Sequence, residues 1–334
     1  MRRLAAAVLA GALLNGATAA AQTKSGTTMG QFLAIEPSAR HAALGNAGVG
    51  VADGIESVWF NPGVIGTLDR SAVTVSHSNW FADIAFDHVG TALRLGGLGN
   101  AYVGVTSLSS GDIDVRTVDQ PLGTGERYDV ANTAISLGLG RGVTSRFAVG
   151  LQFNYVHERI WHTSFSTVTA SAGTVYRLSD GGVRLGFSLT NLGTRAAFSG
   201  RDLAIQYDAD PDAHGDNSAL PGEQATDEFP LPLVFRLGLS VPVRAGENSE
   251  LLLVADALHP NDNAECLNLG AEWTVRKVFA LRAGYQTLFQ PESELGLTCG
   301  FGLNLGGGRL RCSYAWADHD YLEATHRMSL AVRL

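Results

Sequence analysis

Residues 147–155 read FAVGLQFNY, with Phe147, Val149, Leu151, Phe153 and Tyr155 interleaved with Ala148, Gly150, Gln152 and Asn154. A side-chain period of two belongs to a β-strand with one apolar face and one small or polar face. The same pattern returns at Leu297, Cys299, Phe301, Leu303 and Leu305, which alternate with Thr298, Gly300, Gly302 and Asn304. It returns again at Phe235–Val241 and at the closing Met328, Leu330, Val332 and Leu334. Any half-buried antiparallel sheet alternates in this way, so a soluble sandwich remains open at this point.

The connections separate the two architectures. About fourteen strands follow one another from Ser71, an even number as in bacterial single-chain barrels. Short links are expected at Gly96-Gly97, Gly140–Gly142, Asp180–Gly182, Val241–Asn248, Val275-Arg276 and Gly306–Gly308. Long ones are expected at Ser109–Tyr128, His157–Phe165, Ala196–Phe229, His259–Ala264, Thr287–Glu294 and Asp318–Glu323. Short turns on one rim and long loops on the other is the outer-membrane arrangement, and a sandwich has no cause to sort its loops so.

The two faces agree with a membrane barrel. The outward set is Leu, Val, Phe and Ala, with Trp273, Tyr285, Tyr314 and Trp316 near strand ends, where an interfacial aromatic girdle sits. The inward register takes Arg94, Arg184, Arg236, Arg282, Arg309, Arg311, Arg327 and Arg333, with the acids Asp256 and Glu272. A charge facing lipid at mid-depth costs roughly 2–4 kcal/mol, so these groups belong inside. No stretch past the N-terminus approaches the length of a membrane helix.

The chain has 334 residues, 17% charged and 45% hydrophobic, with 40 glycines and a formal net charge of −8. No basic cluster is present, which argues against a nucleic-acid partner. Arg2 and Arg3, the apolar Leu4–Leu14 and the small Ala19-Ala20-Ala21 read as a secretory signal over residues 1–21. Three cysteines, Cys266, Cys299 and Cys312, are an odd number for an exported chain and read as small hydrophobes. Cys299 and Cys312 lie on neighbouring predicted strands, which leaves one bridge open, although the symmetry of the turn between them does not set them opposite each other.

Residues 22–70 precede the first long strand. The stretch Gly30–Leu68 is rich in small residues, carries Gln31, Glu36, Arg40, Asp53 and Glu56 among apolar positions, and closes on Asn61-Pro62-Gly63. A segment this short hides too little surface to fold alone, so it needs a host. The reading is an all-β, fourteen-stranded antiparallel transmembrane barrel over 71–334 with the N-terminal segment as a plug inside its lumen.

The order Gly30-Gln31-Phe32-Leu33, Ala39-Arg40, Leu44-Gly45, Val51-Ala52-Asp53 and Val58-Trp59-Phe60-Asn61-Pro62 resembles the opening of the PorV/PorQ family, within the wider FadL-like outer-membrane barrels. Ser188–Gly193, SLTNLG, resembles a further segment of that family. Two positions depart from it: Gly63 follows Asn-Pro where alanine is usual, and the chain ends in Leu334 rather than an aromatic residue. The resemblance implies an outer-membrane barrel with both termini periplasmic and the long loops extracellular. It also implies no catalytic site. The function expected from it is binding of secretion-system subunits or secreted cargo, as in type IX secretion. The alternative is a FadL-like conduit for a hydrophobic small molecule. Outer-membrane lipid is the surrounding partner in both cases, and no cofactor is implied.

The inward arginines suit either selection of an anionic solute or pairing with the plug carboxylates Glu36, Asp53 and Glu56, which would lock the plug. The acidic loop Ala196–Phe229 spaces Asp208, Asp210 and Asp212 like calcium ligands, but has Ala213 and Ala219 where such a loop needs Gly and Glu. Its apolar Leu203, Ile205, Tyr207 and Leu220 suit docking to a protein surface. His157 and His162, flanking Glu158 and Trp161, form a weak metal pattern, and no metal site is expected. Ser136, Ser188 and Ser240 have no histidine and acid beside them in sequence, and no nucleophile elbow, phosphate loop or zinc signature occurs.

Overall fold

The computed structural model describes residues 24–208, 220–290, 293–319 and 322–334. The expected signal segment lies outside them, as do Asp210 and Asp212. Fourteen strands form the wall. They are β1 Ala72–Asn79, β2 Ala85–Arg94, β3 Asn100–Ser109, β4 Val130–Gly142, β5 Phe147–Ile160, β6 Thr163–Arg177 and β7 Arg184–Gly193. The second half is β8 Val234–Arg244, β9 Ser249–Pro260, β10 Cys266–Val275, β11 Phe279–Leu288, β12 Leu295–Leu305, β13 Leu310–His319 and β14 Leu322–Arg333.

Every strand pairs antiparallel with its sequence neighbours. The cylinder closes where β1 meets β14, from Ala72 opposite Arg333 to Asn79 opposite His326. Closure leaves no free edge, which strands in lipid require because every backbone group must find its partner inside the sheet. The alternation of side chains holds around the wall. On β5, Ala148, Gln152 and Asn154 are buried while Leu151, Phe153 and Tyr155 face out. Trp273 and Tyr285 also face out.

The loops are sorted by rim, but less evenly than the sequence suggests. One rim carries only the turns 95–99, 143–146, 178–183, 245–248, 276–278 and 306–309. On the other, two connections, 110–129 and 194–233, supply most of the length. The expected long loop at His157–Phe165 is instead a tight turn at Trp161 and His162. The polar residues His157, Glu158 and Arg159 continue the ladder opposite Ser166, Phe165 and Ser164. Polarity alone therefore misplaces this strand end. Four register shifts, at Ala170/Ala172, Leu267/Leu269, Leu295/Thr298 and Ala317/His319, all lie towards this rim.

The three thiols are free. In the β12–β13 register Cys299 faces Trp316 and Cys312 faces Leu303, so the two are offset along the sheet and are not placed to bridge.

Residues 29–68 fill the lumen. They form short turns, at Gln31–Ala34, Ala39–Ala42, Ile55–Ser57 and Pro62–Thr67, and Ala39, Ala42, Ala43, Leu44, Ala47, Val49, Val58 and Val64 have no exposed surface. Asn61 explains the last turn. Its Oδ1 accepts from the Gly63 amide at 2.8 Å and caps the turn, while Pro62 supplies a first residue that needs no amide partner. Its Nδ2 donates to the carbonyls of Val49 and Thr174, each at 2.9 Å, tying the segment to itself and to β6.

The wall accepts this segment through glycine. A Cβ at Gly150 would lie 2.0 Å from the Pro62 carbonyl oxygen, one at Gly186 2.0 Å from that of Val49, and one at Gly284 2.0 Å from the Gly45 amide nitrogen. The fit is reciprocal at Gly63, where a Cβ would stand 2.7 Å from the Thr174 backbone. The glycine at this departure from the Asn-Pro-Ala pattern is therefore required by close approach to the wall, rather than by local backbone freedom. Gly284→Val is expected to destabilise the folded barrel by about 1–3 kcal/mol through overpacking. Gly97→Ala, in an open turn with nothing within 4 Å, is expected to shift it by less than about 0.5 kcal/mol. Heat-dependent mobility in detergent gels measures both.

Candidate functional site: an apolar cavity above a charge-locked plug

The inward arginines are drawn towards acids of the plug and the wall. Arg40, wholly buried on the plug, donates Nε and Nη2 to Glu272 of β10 at 2.8 and 2.7 Å and pairs with Asp53. Arg282 of β11 reaches the same Glu272 at 2.6 Å. Arg311 of β13 holds Glu56 at 3.0 Å, Arg327 of β14 pairs with Glu36, and Arg333 donates to the Asp53 carbonyl. Glu36, Asp53 and Glu56 are all engaged, so these arginines serve the plug and do not form an open anion-selective ring. Asp256 is also structural, its Oδ2 accepting from the Gly48 and Val49 amides at 2.7 and 2.9 Å.

Arg236 donates to Thr190 at 2.8 Å and lies over the Trp59 ring, 5.3 Å from its centroid. Arg184 is half-buried on the inward face. Arg94 and Arg309 are corrections to the inward set. Arg309 lies in the turn 306–309, and Arg94 ends β2 at the same rim, donating to the Asp69 carbonyl at 2.9 Å. Both are exposed because the lumen ends before them.

The remaining motif residues are packing elements. Gly30 takes a left-handed conformation, φ 69°, at the start of the Gln31–Ala34 turn. Phe32 and Leu33 join Met29, Phe86, Leu108, Val156, Phe165 and Leu231 in one apolar cluster. Leu44 and Gly45 lie against Gly270 and Gly284. His41, with no exposed surface, bridges Ser38 and Ser57 at 3.0 Å each, and burial, aided by the charge of Arg40, pushes its imidazole down to about 3. It is a neutral link inside the plug. Asn191 of SLTNLG is left-handed at the β6–β7 register shift, and its side chain donates to the Pro232 carbonyl.

Above the plug the lumen opens into a cavity of about 550 Å³ at the long-loop rim. Its floor is Thr28–Glu36 and its walls include Trp80, Leu108, Phe198, Leu295 and Ala317. The floor is fixed at both ends. Thr28 and Gln31 donate to Asp262, the Met29 amide donates to the Pro230 carbonyl, and Glu36 pairs with Arg327. This volume lies within the range of roughly 300–1,000 Å³ that small-molecule sites occupy. A second cavity deeper in the lumen measures about 30 Å³, far below that range. Hollows of about 630 Å³ near Leu253 and Leu269 and about 480 Å³ near Leu137 and Leu151 lie on the outer face of the wall, outside the lumen.

Gly30, Gln31 and Phe32 of the GQFL motif thus form part of the cavity floor. Of the wall residues, the sequence marks Arg327 as an inward charge and Glu158 as part of a metal pattern. Trp80, Leu108, Phe198, Leu295 and Ala317 carry no such signal, because they come from separate parts of the chain. His157 bonds Ser166 at 2.9 Å and His162 bonds Asp202 at 2.9 Å, so the two imidazoles serve separate partners. Among the described residues no cluster of three or more His, Cys, Asp or Glu is placed to hold a metal.

Solved structures share the fold of this closed barrel. The CymD monoaromatic hydrocarbon channel aligns over 90% of this chain and 98% of its own, with a TM-score of 0.56 at 12% identity. The Pseudomonas putida toluene transporter TodX aligns over 89% and 97%, with a TM-score of 0.51 at 12% identity. A Pseudomonas aeruginosa FadL homologue aligns over 88% and 97%, with a TM-score of 0.51 at 10% identity. At these identities the likeness is one of fold. No protein-family model and no curated protein matches the chain. The narrower PorV/PorQ resemblance gains no support from these comparisons.

Glu272 is shared by two guanidinium groups in a water-poor site. Glu272→Ala is expected to cost about 3–5 kcal/mol, since removing one partner of a buried pair strands the other charge. Chemical unfolding in detergent measures the loss.

Proposed function

We propose that the protein is an outer-membrane conduit that takes up a hydrophobic small molecule through the cavity above its plug, without catalysis. The observation that carries this reading is a ligand-sized space, more apolar than polar, open to one rim and floored by the segment that fills the rest of the lumen. The shared fold with channels named for hydrocarbons supports it. In this reading the long-loop rim faces outwards and both termini are periplasmic. Residues 28–36 separate the captured molecule from the lumen below, so their ties to Asp262, Pro230 and Arg327 set how readily it passes.

Docking of secretion subunits or cargo is the second reading. It is favoured by loop 110–129, where Val118 and Leu122 are 99% and 96% exposed, and by Ile205, Tyr207 and Leu220 on an exposed hairpin. Apolar loop tips of this kind suit a protein surface.

Filling the cavity separates the two. In vesicles carrying the protein, Ala317→Trp and Leu108→Trp are expected to cut uptake of a hydrophobic aromatic solute by roughly fivefold or more, with barrel folding checked by gel mobility. Uptake equal to that of protein-free vesicles, or unchanged by both substitutions, would sink the conduit. Replacing Val118 and Leu122 with serine is expected to leave uptake unchanged.

A further inference from the structure

The cavity is more apolar than polar, and three buried oxygens of its lining residues lack a hydrogen-bond partner. They are Asn46 Oδ1 on the plug, Asn132 Oδ1 on β4 and Glu158 Oε2 on β5. Asn132 is 7% exposed, so little water reaches it. Buried polar atoms are nearly always paired, and leaving one unpaired costs about as much as desolvating it. Three such atoms around one hollow are a coherent feature, since all three are acceptors. The lining also holds one unpartnered donor, Arg327 Nε. The charge of that guanidinium is matched by Glu36 and its face covers Trp80, 5.1 Å from the ring centroid. Glu158 has no ion-pair partner among the described residues.

We infer that the cavity selects uncharged hydrophobic molecules carrying a hydroxyl donor, such as alkylphenols, over donor-free hydrocarbons and over carboxylates. This rests on the conduit reading and names its substrate class. The apolar body of such a ligand packs on Phe32, Ile35, Leu108 and Phe198, and its hydroxyl donates to the acceptors at Asn132 and Glu158. A hydrocarbon leaves those acceptors unpaired. A carboxylate brings a second negative charge next to Glu158, in a space where the nearby guanidinium is already neutralised. Discrimination by buried acceptors is stronger than discrimination by shape, because the wrong ligand leaves desolvated polar groups behind.

The test uses the full chain in detergent and three ligands of one shape: 4-methylphenol, 4-methylanisole, whose ether cannot donate, and 4-methylbenzoate. Calorimetric titration is expected to show 4-methylphenol bound about tenfold tighter than 4-methylanisole, the factor for one hydrogen bond to a buried acceptor, and 4-methylbenzoate weakest. In the variant carrying Asn132→Leu and Glu158→Leu the phenol-to-anisole ratio is expected to fall to within about twofold. In Glu158→Gln, which keeps an acceptor, at least a threefold preference is expected to remain. Should the double variant not fold, the comparison of the three ligands on the unaltered chain decides alone. Anisole bound as tightly as phenol, or benzoate bound tightest, would overturn the donor preference while leaving the conduit reading standing. No binding by any of the three would overturn both.

Discussion

The contact between the plug backbone and a glycine-lined wall is the constraint on which the rest of this structure depends. Lumen-facing positions in a barrel are normally filled by side chains. Here Gly150, Gly173, Gly186, Gly238, Gly270 and Gly284 withdraw them, and the main chain of residues 43–63 takes their place. Backbone brought that close must have its own polar groups satisfied. Wall side chains do this: Asn100 Nδ2 donates to the Ile65 carbonyl at 2.7 Å, Ser240 Oγ to the Gly50 carbonyl at 2.8 Å, and Thr298 Oγ1 accepts from the Gly45 amide at 3.0 Å. The ion pairs come on top of this fit. They sit where the plug must carry side chains of its own, at Arg40, Asp53 and Glu56.

Filling the lower lumen this tightly confines usable space to one end. The segment rises along the lumen as far as Thr28, and the unfilled remainder is the cavity beneath the long loops. The register shifts fall on the same end of the wall, where Leu295, Ala317 and His319 border the cavity. A shift bends the strand and re-aims side chains, so this part of the cylinder departs from a regular pleat where a ligand would lie. Stability and capture thus divide the lumen by depth.

Much of the wall was legible in the sequence because its physics is local. Alternation at Phe147–Tyr155 reports two faces, and the cost of a charge in lipid assigns Arg236, Arg282 and Arg327 inward without a structure. The strand limit at His157–Arg159 was not legible, since these residues are polar only because the strand runs on past the apolar band. Nor was the reason for Gly63, whose neighbour Thr174 lies far along the chain. The arginines announce that partners exist, but which acid each meets depends on depth and register: Glu272 serves Arg40 and Arg282 together, and Glu56 serves Arg311. The cavity was the least legible part. Asn132, Glu158, Leu295, Ala317 and Arg327 lie on five different strands, and no spacing along the chain joins them.

The reciprocal glycine fit bears on the order of assembly. Gly45 is seated against β10 and β11, Pro62 and Gly63 against β5 and β6, and Glu36 against β14. Enclosing such a segment as β14 meets β1 makes the contacts on opposite sides together, where threading it into a finished cylinder would have to make them against a closed wall. Residues 29–68 thus have the shape of a mandrel around which the wall is drawn tight.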